Sequence, residues 1–170
     1  VFESARADQI SSTFDSNSNK VVIAYKDVGN SNYGTCVVGT VSGTSISFGT
    51  PVVFESANCT ATSATFDSNS NKVVIAYTDG GNSSHGTAIV GTVSGTSISF
   101  GTAIVGTVSS TSISFGAAAV FESSNSVYIS STFDSLNNKV VISYNDYSNS
   151  QNGTAVVGTV SGTSISFGTP

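Results

Sequence analysis

"STFDSNSNKVVIAYKD" occupies residues 12–27, and closely similar segments return at 64–79 and at 131–146. The short sequence "VFES" recurs before each of them, so the chain consists of repeated units. A period near 50 residues is typical of repeat architectures, in which each unit buries its apolar face against a neighbour. The 170-residue chain therefore divides into three units, residues 1–52, 53–119 and 120–170.

Each unit has the composition of β-structure. The segments "KVVIAYKD" (20–27) and "TCVVGTVSG" (35–43) are rich in β-branched residues, and clusters of Asn, Asp, Ser and Gly separate them. No window shows helical periodicity. We therefore predict an all-β fold with four strands per unit, which in the first unit are Ile10–Phe14, Lys20–Tyr25, Thr35–Val41 and Ser45–Phe48, the last continuing towards the next VFES.

The central strands are apolar on both faces. Alternation places Val21, Ile23 and Tyr25 on one side of the second strand and Val22 and Ala24 on the other. Both sides must then be covered, whereas the fourth strand alternates between apolar residues and serine. This pattern favours stacked four-stranded sheets, as in the blades of a β-propeller.

The unit "FDSNSNKVVIAYKDVGNSNYGTCVVGTVSGTSISFGTPVVFES" (residues 14–56) resembles tandem β-propeller-like repeats of predicted surface and fibre proteins of marine bacteria, phages and other aquatic viruses. The resemblance covers essentially the whole chain. It implies an extracellular, virion-surface or cell-surface location and a structural or adhesive role. It implies no catalytic residues.

Three blades are too few for a closed propeller, which typically has four to eight. Two chains could complete a ring, the chain could be a fragment of a longer array, or the units could close into a threefold β-trefoil or β-prism. The chain ends on "SISFGTP" and begins on "VFES", sequences that are continuous between inner units. We therefore expect assembly through β-edges, by self-association or with neighbouring repeats.

The middle unit contains a duplication. "GTAIVGTVSGTSISF" at 86–100 is followed at 101–115 by the same sequence with Ser110 in place of Gly95. The copy spans a strand, a turn and a second strand, so we predict one additional hairpin at the outer edge of this unit. It could lengthen an edge available for pairing, or it could be a tolerated recombination product.

Composition limits the possible functions. The chain has five basic and ten acidic side chains, a net charge of -5 and only 9% charged residues, so nucleic acid is not an expected partner. No apolar run is long enough to span a membrane and no signal peptide is recognisable, so we expect no membrane insertion. The chain starts at Val1 and contains no Met, which favours an excised or processed piece.

Catalytic and metal-binding patterns are not found in the sequence. His85, the only histidine, lies in a polar loop without a partner pattern for a triad, so we do not predict an enzyme. Cys36 and Cys59 occupy different positions of the repeat, which favours two free thiols over a disulfide. No zinc spacing is present, and we expect no cofactor.

Nine of the ten acidic residues recur at three positions of the unit. The first aspartate, in "FDSNSNK", begins a turn in which its carboxylate can accept backbone hydrogen bonds. The second aspartate opens a polar loop whose oxygens and aromatic side chains suit a sugar or a weakly bound cation, although a plain surface loop explains it too. The candidate binding residues of these loops are Asp27, Asn30, Tyr33, Asp79, Asn82, His85, Asp146 and Asn149.

Two functions follow from this sequence. The first is a structural repeat module of an extracellular or virion-surface fibre or appendage, and the alternative is a multivalent glycan-binding lectin or adhesin with one shallow site per repeat. The loops differ between units at Tyr33, His85 and Asn152, which favours the structural role. We also predict that the recurring Phe14, Phe66 and Phe133 are core anchors.

Overall fold

The structure is a computed structural model that describes residues 1–100, 118–162 and 164–170, with the side chains of 99 and 100 left out. The additional hairpin predicted at 101–115 lies outside the described residues.

The described chain is all-β, as predicted, with twelve antiparallel strands. Two short 3-10 turns, Val28–Asn30 and Tyr147–Asn149, follow the second strand of the first and third units. The strands are β1 Ala7–Asp15, β2 Lys20–Asp27, β3 Tyr33–Ser42, β4 Ser45–Phe48, β5 Val52–Asp67, β6 Lys72–Asp79, β7 His85–Ser94, β8 Ser97–Phe100, β9 Ala119–Asp134, β10 Lys139–Asp146, β11 Asn152–Ser161 and β12 Ser164–Phe167.

The strands form one open sheet. Its order is β1-β2-β3-β5-β6-β7-β9-β10-β11-β12, with β4 paired to β3 and β8 to β7. The order does not return from β12 to β1, so the described strands close neither a propeller ring nor a trefoil.

Two long strands connect the units. The first part of β5 pairs with β3, and its second part, from Cys59 onwards, pairs with β6. β9 joins β7 to β10 in the same way. The expected continuation of the fourth strand into VFES is wrong, because β4 ends at Phe48 and a new strand begins at Val52. Pro51 lies between them and has no backbone N–H to offer a sheet.

The core lies between stacked units. We call the side of unit 1 that carries Val21, Ile23 and Tyr25 its front face, and the side that carries Val22 and Ala24 its back face. The back face of unit 1 packs on the front face of unit 2. Buried in this interface are Val22, Ala24, Cys36, Val38, Phe54, Cys59, Ala64, Val73, Ile75, Tyr77, Ile89 and Ile98.

The second interface repeats the first. The back face of unit 2 contributes Val74, Ala76, Ala88 and Val90, which are the repeat equivalents of the unit 1 residues in the first interface. The front face of unit 3 contributes Phe121, Ile129, Val140, Ile142, Tyr144, Val156 and Ile165. Because unit 2 is covered on both sides, the prediction of doubly buried central strands is confirmed there.

The prediction of three phenylalanine anchors is wrong for one of them. Phe66 and Phe133 are partly buried against the two interfaces, but Phe14 is exposed. All three precede the second strand and lie on front faces, in register with Val21 or its equivalents. Phe14 is exposed because, among the described residues, none is stacked on the front of unit 1 at this position.

Each unit contains a β-bulge at the same place in its first strand. In β1 the register shifts between Asp8 and Ser11, and equivalent shifts occur in β5 and β9. The residues in the left-handed conformation are Gln9 (φ 54), Ala61 (φ 50) and Tyr128 (φ 54). Side chains rarely adopt this conformation, so its recurrence marks a built-in feature of the unit.

Candidate functional site

The VFES segments hold the start of each unit against its own front face. In every unit the buried tyrosine of the second strand donates a hydrogen bond to the VFES glutamate, and the VFES phenylalanine packs against the same ring at 5.1 or 5.2 Å between centroids. The hydrogen-bonded pairs, each at 3.2 Å, are Tyr25–Glu3, Tyr77–Glu55 and Tyr144–Glu122. This contact explains why Phe and Glu recur together in the sequence.

Burial keeps these tyrosines protonated. It is the main cause that raises the pKa of Tyr25, Tyr77 and Tyr144, and the nearby glutamate charge raises it further. Burial also raises the pKa of Glu55, together with the charge of Asp79, whereas a hydrogen bond from the Ala5 backbone N–H lowers the pKa of Glu3. The phenols therefore act as stable donors at neutral pH.

The first recurrent aspartate has the turn role that the sequence predicted. Asp15 accepts hydrogen bonds from the backbone N–H groups of Asn17 and Ser18 at 2.9 and 3.0 Å. Asp67 and Asp134 accept the equivalent bonds in their own turns. These carboxylates stabilise hairpin turns by accepting backbone hydrogen bonds within them.

The second recurrent aspartate also orients its own loop. Asp27 accepts a hydrogen bond from the Asn30 N–H at 3.0 Å, and Asp79 accepts bonds from Gly81 and Asn82 at 2.8 and 3.1 Å. Asp146 accepts two bonds from Ser148. All three aspartates are buried, so they present little carboxylate surface to a ligand.

The other predicted loop residues are more accessible. Asn30, Asn82 and Asn149 are exposed, while Tyr33 and His85 are partly buried at the start of β3 and β7. Each set stays in the loop of its own unit. Within the described ranges, no three His, Cys, Asp or Glu side chains come together as metal ligands.

The two cysteines are free and buried. Both belong to the interface between units 1 and 2. Burial raises the pKa of both thiols, that of Cys59 to about 12, and the Cys59 Sγ lies 3.6 Å from the Thr62 Oγ1. They therefore pack as small apolar side chains.

We expect Cys36 and Cys59 to resist a thiol-specific reagent at neutral pH in the folded chain, because the thiolate is the reactive form and both thiols are buried. In denaturant both should react, giving two thiols per chain. Rapid labelling of the native protein, or fewer than two thiols after unfolding without reductant, would contradict the assignment.

The candidate functional site consists of the two ends of the stack. On the front face of unit 1, Ile46 is 43% exposed, although its equivalents Ile98 and Ile165 are 2% and 6% exposed inside the stack. On the back face of unit 3, Val157 is 48% exposed, although its equivalents Val38 and Val90 are buried. The stack thus ends in two apolar half-interfaces that match the two halves of its internal interfaces.

The back end also has an unpaired strand edge. In unit 1, the start of β3 pairs with the VFES part of β5, and its end pairs with β4. In unit 3, β12 pairs with the end of β11, but residues 152–155 have no strand on that side among the described residues. Backbone groups at such an edge can accept an additional strand.

A glycine at this edge lacks the aromatic neighbour that its equivalents in units 1 and 2 have. A Cβ placed on Gly34 would lie 2.6 Å from the Phe54 ring, and one on Gly86 would lie 2.5 Å from the Phe121 ring. The equivalent Gly153 has nothing within 4 Å. The back end therefore lacks the VFES phenylalanine that covers this position in units 1 and 2.

At the front end, the VFES segment pairs with none of the described strands. Phe2 and Glu3 contact Tyr25 as their equivalents contact Tyr77 and Tyr144. The Val28 N–H donates to the Arg6 carbonyl at 3.0 Å, as the Gly80 N–H donates to the Asn58 carbonyl at 2.8 Å. Residues 1–6 are thus placed like the start of β5, but they belong to no strand.

Sequence reasoning missed the positions that distinguish the ends. Gly34, Gly86 and Gly153 occupy the same position of the repeat, so the sequence pattern does not show that only Gly153 lacks a covering phenylalanine. It also missed the left-handed bulge residues, because Gln, Ala and Tyr give no local signal for that conformation.

Comparison of the sequence with family models, with curated proteins and with solved structures gives no match. Among the described residues, no helix has the length and apolar character needed to cross a membrane.

Proposed function

We propose that this chain is a structural repeat module of an extracellular or virion-surface fibre or appendage, and that it assembles by stacking the front end of one copy on the back end of another. One observation carries the proposal. The same interface occurs twice inside the chain, and its two complementary halves are left uncovered at the ends.

The contact between copies would repeat the internal one. Residues 1–6 of one copy would pair with the edge at 152–155 of the next, as β5 pairs with β3 and β9 with β7. Phe2 would then cover Gly153, as Phe54 covers Gly34. Strand addition supplies backbone hydrogen bonds, and the stacked faces supply apolar burial.

The chemistry of both ends suits a second copy. The exposed residues Ile46 at the front and Val157 at the back are apolar, as are the partly buried Val21, Ile23 and Val141 beside them. Removing these side chains from water is favourable, and no unpaired charge would be buried with them.

Such a contact joins two different surfaces. A heterologous contact produces a closed ring if the rotation between copies closes, and a helical filament if it does not. Depending on that rotation, two copies would form a six-unit ring, or many copies would form an extended fibre. The resemblance to surface and fibre repeats favours a location outside the cell or on a virion.

We expect the purified chain to associate as its concentration rises. Sedimentation velocity over a range from low to high micromolar should show species larger than the monomer, with little dependence on salt because the contact is apolar. A single monomeric species throughout this range would contradict the proposal.

A further inference from the structure

A cleft crosses the three bulges on the same end of the sheet as the polar loops. Its volume is about 240 Å³, and its lining comes from all three units: Gln9, Thr60, Ala61, Val127, Tyr128 and Tyr147. One six-membered sugar ring fits a cleft of this size.

The two tyrosines are found only in the third unit. Tyr128 replaces Gln9 and Ala61 of the other units, and Tyr147 replaces Val28 and Gly80. In a chain of near-identical repeats, two substitutions far apart in sequence thus place aromatic rings at one cleft. Both rings are accessible, since Tyr128 is 84% and Tyr147 is 47% exposed.

The ring of Tyr128 does not serve packing. The residue has a φ of 54°, a conformation that is unfavourable for a bulky side chain, and its ring is not buried. Bulges of this kind re-aim a side chain away from the regular strand direction. Here the bulge presents the ring to solvent beside Tyr147.

The cleft offers neutral polar groups next to these rings. The Gln9 amide and the Thr60 hydroxyl can each donate and accept, and within the described part of the chain neither side chain has a hydrogen-bond partner. None of the six lining residues is acidic or basic. A ligand for this surface needs an apolar face, several hydroxyl groups and no charge.

We propose that this cleft binds one ring of a neutral carbohydrate. The C–H face of a pyranose packs on the tyrosine rings, and its hydroxyl groups bond to Gln9 and Thr60. The chain then has one sugar site rather than one in each unit, since Gln9 and Ala61 supply no ring. The site is independent of the stacking proposed above, because none of its lining residues belongs to the two free ends.

The site can be tested by titrating ¹⁵N-labelled chain with the methyl glycosides of glucose, galactose and mannose, each measured separately. We expect amide shifts confined to the cleft, at Gln9, Thr60 and Tyr128, for at least one of these sugars. A glucuronic acid glycoside of the same size serves as the charged comparison and should bind more weakly.

The repeats supply matched variants. Tyr128→Ala gives the residue that unit 2 already holds in this conformation, and Tyr147→Val gives the residue of unit 1, so both should fold. Each should weaken sugar binding roughly tenfold, the effect of losing one aromatic contact. Tyr33→Ala, which removes a tyrosine outside the cleft, should leave binding unchanged.

Three results would overturn the proposal. One is the lack of cleft shifts with all three neutral sugars at the highest concentrations used. Another is binding that survives in the Tyr128→Ala and Tyr147→Val chains, which would place the ligand elsewhere. Binding of a proline-rich peptide at the cleft without sugar binding would assign the two rings to a protein partner and would also refute it.

Discussion

Replacing Tyr77 with alanine should lower the free energy of unfolding by about 3–5 kcal/mol. The side chain is fully buried between units 1 and 2, where its ring packs on Phe54 and its hydroxyl donates to Glu55. The substitution removes the ring from the interface and leaves a cavity between the two stacked units. Because a domain of this size has a total stability of about 5–15 kcal/mol, the loss is a large part of it.

Chemical denaturation with circular dichroism would measure this change. Tyr77→Phe, which keeps the ring and removes the hydroxyl, should cost only about 0.5–1.5 kcal/mol. Tyr128→Ala, at an exposed ring, should stay within about 0.5 kcal/mol of the parent chain. An unfolding midpoint for Tyr77→Ala close to that of Tyr128→Ala would show that the stacked interface does not hold the fold together.

The second large effect concerns two glycines, Gly86 and Gly153, that occupy the same position in units 2 and 3. Gly86→Val should destabilise the chain, because a Cβ there already meets the Phe121 ring at 2.5 Å, and overpacking of this kind costs about 1–3 kcal/mol. Gly153→Val should leave the free energy of unfolding within about 0.5 kcal/mol, because nothing lies within 4 Å of its Cβ. In the assembly, however, the new side chain occupies the place of Phe2 from the next copy.

We therefore expect Gly153→Val to fold normally and to lose self-association, which differential scanning calorimetry and sedimentation velocity can measure separately. Ile46→Lys should act in the same way from the other end, since it places a charge on the exposed front face without disturbing a buried residue. Unchanged association of the Gly153→Val chain would show that the edge at 152–155 takes no part.

Much of the fold could be predicted from the sequence, because the relevant signals are local. The β-branched segments "KVVIAYKD" and "TCVVGTVSG" give β2 and β3 with their correct starts within two residues, and the Asn-rich and Ser-rich clusters give the turns. The turn role of Asp15 followed from its place before such a cluster. The double covering of the central strands in unit 2 followed from the same alternation, which places Val73 and Val74 on opposite sides.

The remaining features depend on neighbours that the local sequence does not specify. Val38 and Val157 have nearly the same surroundings in the sequence, yet the first is buried and the second exposed, because unit 1, unlike unit 3, has another unit stacked on its back face. Phe14 is exposed for the corresponding reason at the front. The cleft is lined by Tyr128 and Tyr147, which come from different segments of unit 3. The left-handed conformation of the bulge that holds Tyr128 could not be predicted from the residue types found there.

If the front end of one copy binds the back end of another, two chains that are blocked at opposite ends should bind each other when they are mixed. The Gly153→Val chain keeps an intact front end and the Ile46→Lys chain keeps an intact back end, so neither variant should associate with copies of itself. Native mass spectrometry of an equimolar mixture, with one chain isotopically labelled, should show a dimer that contains one copy of each and no larger species. Monomers only, or dimers of a single type of chain, would contradict this account.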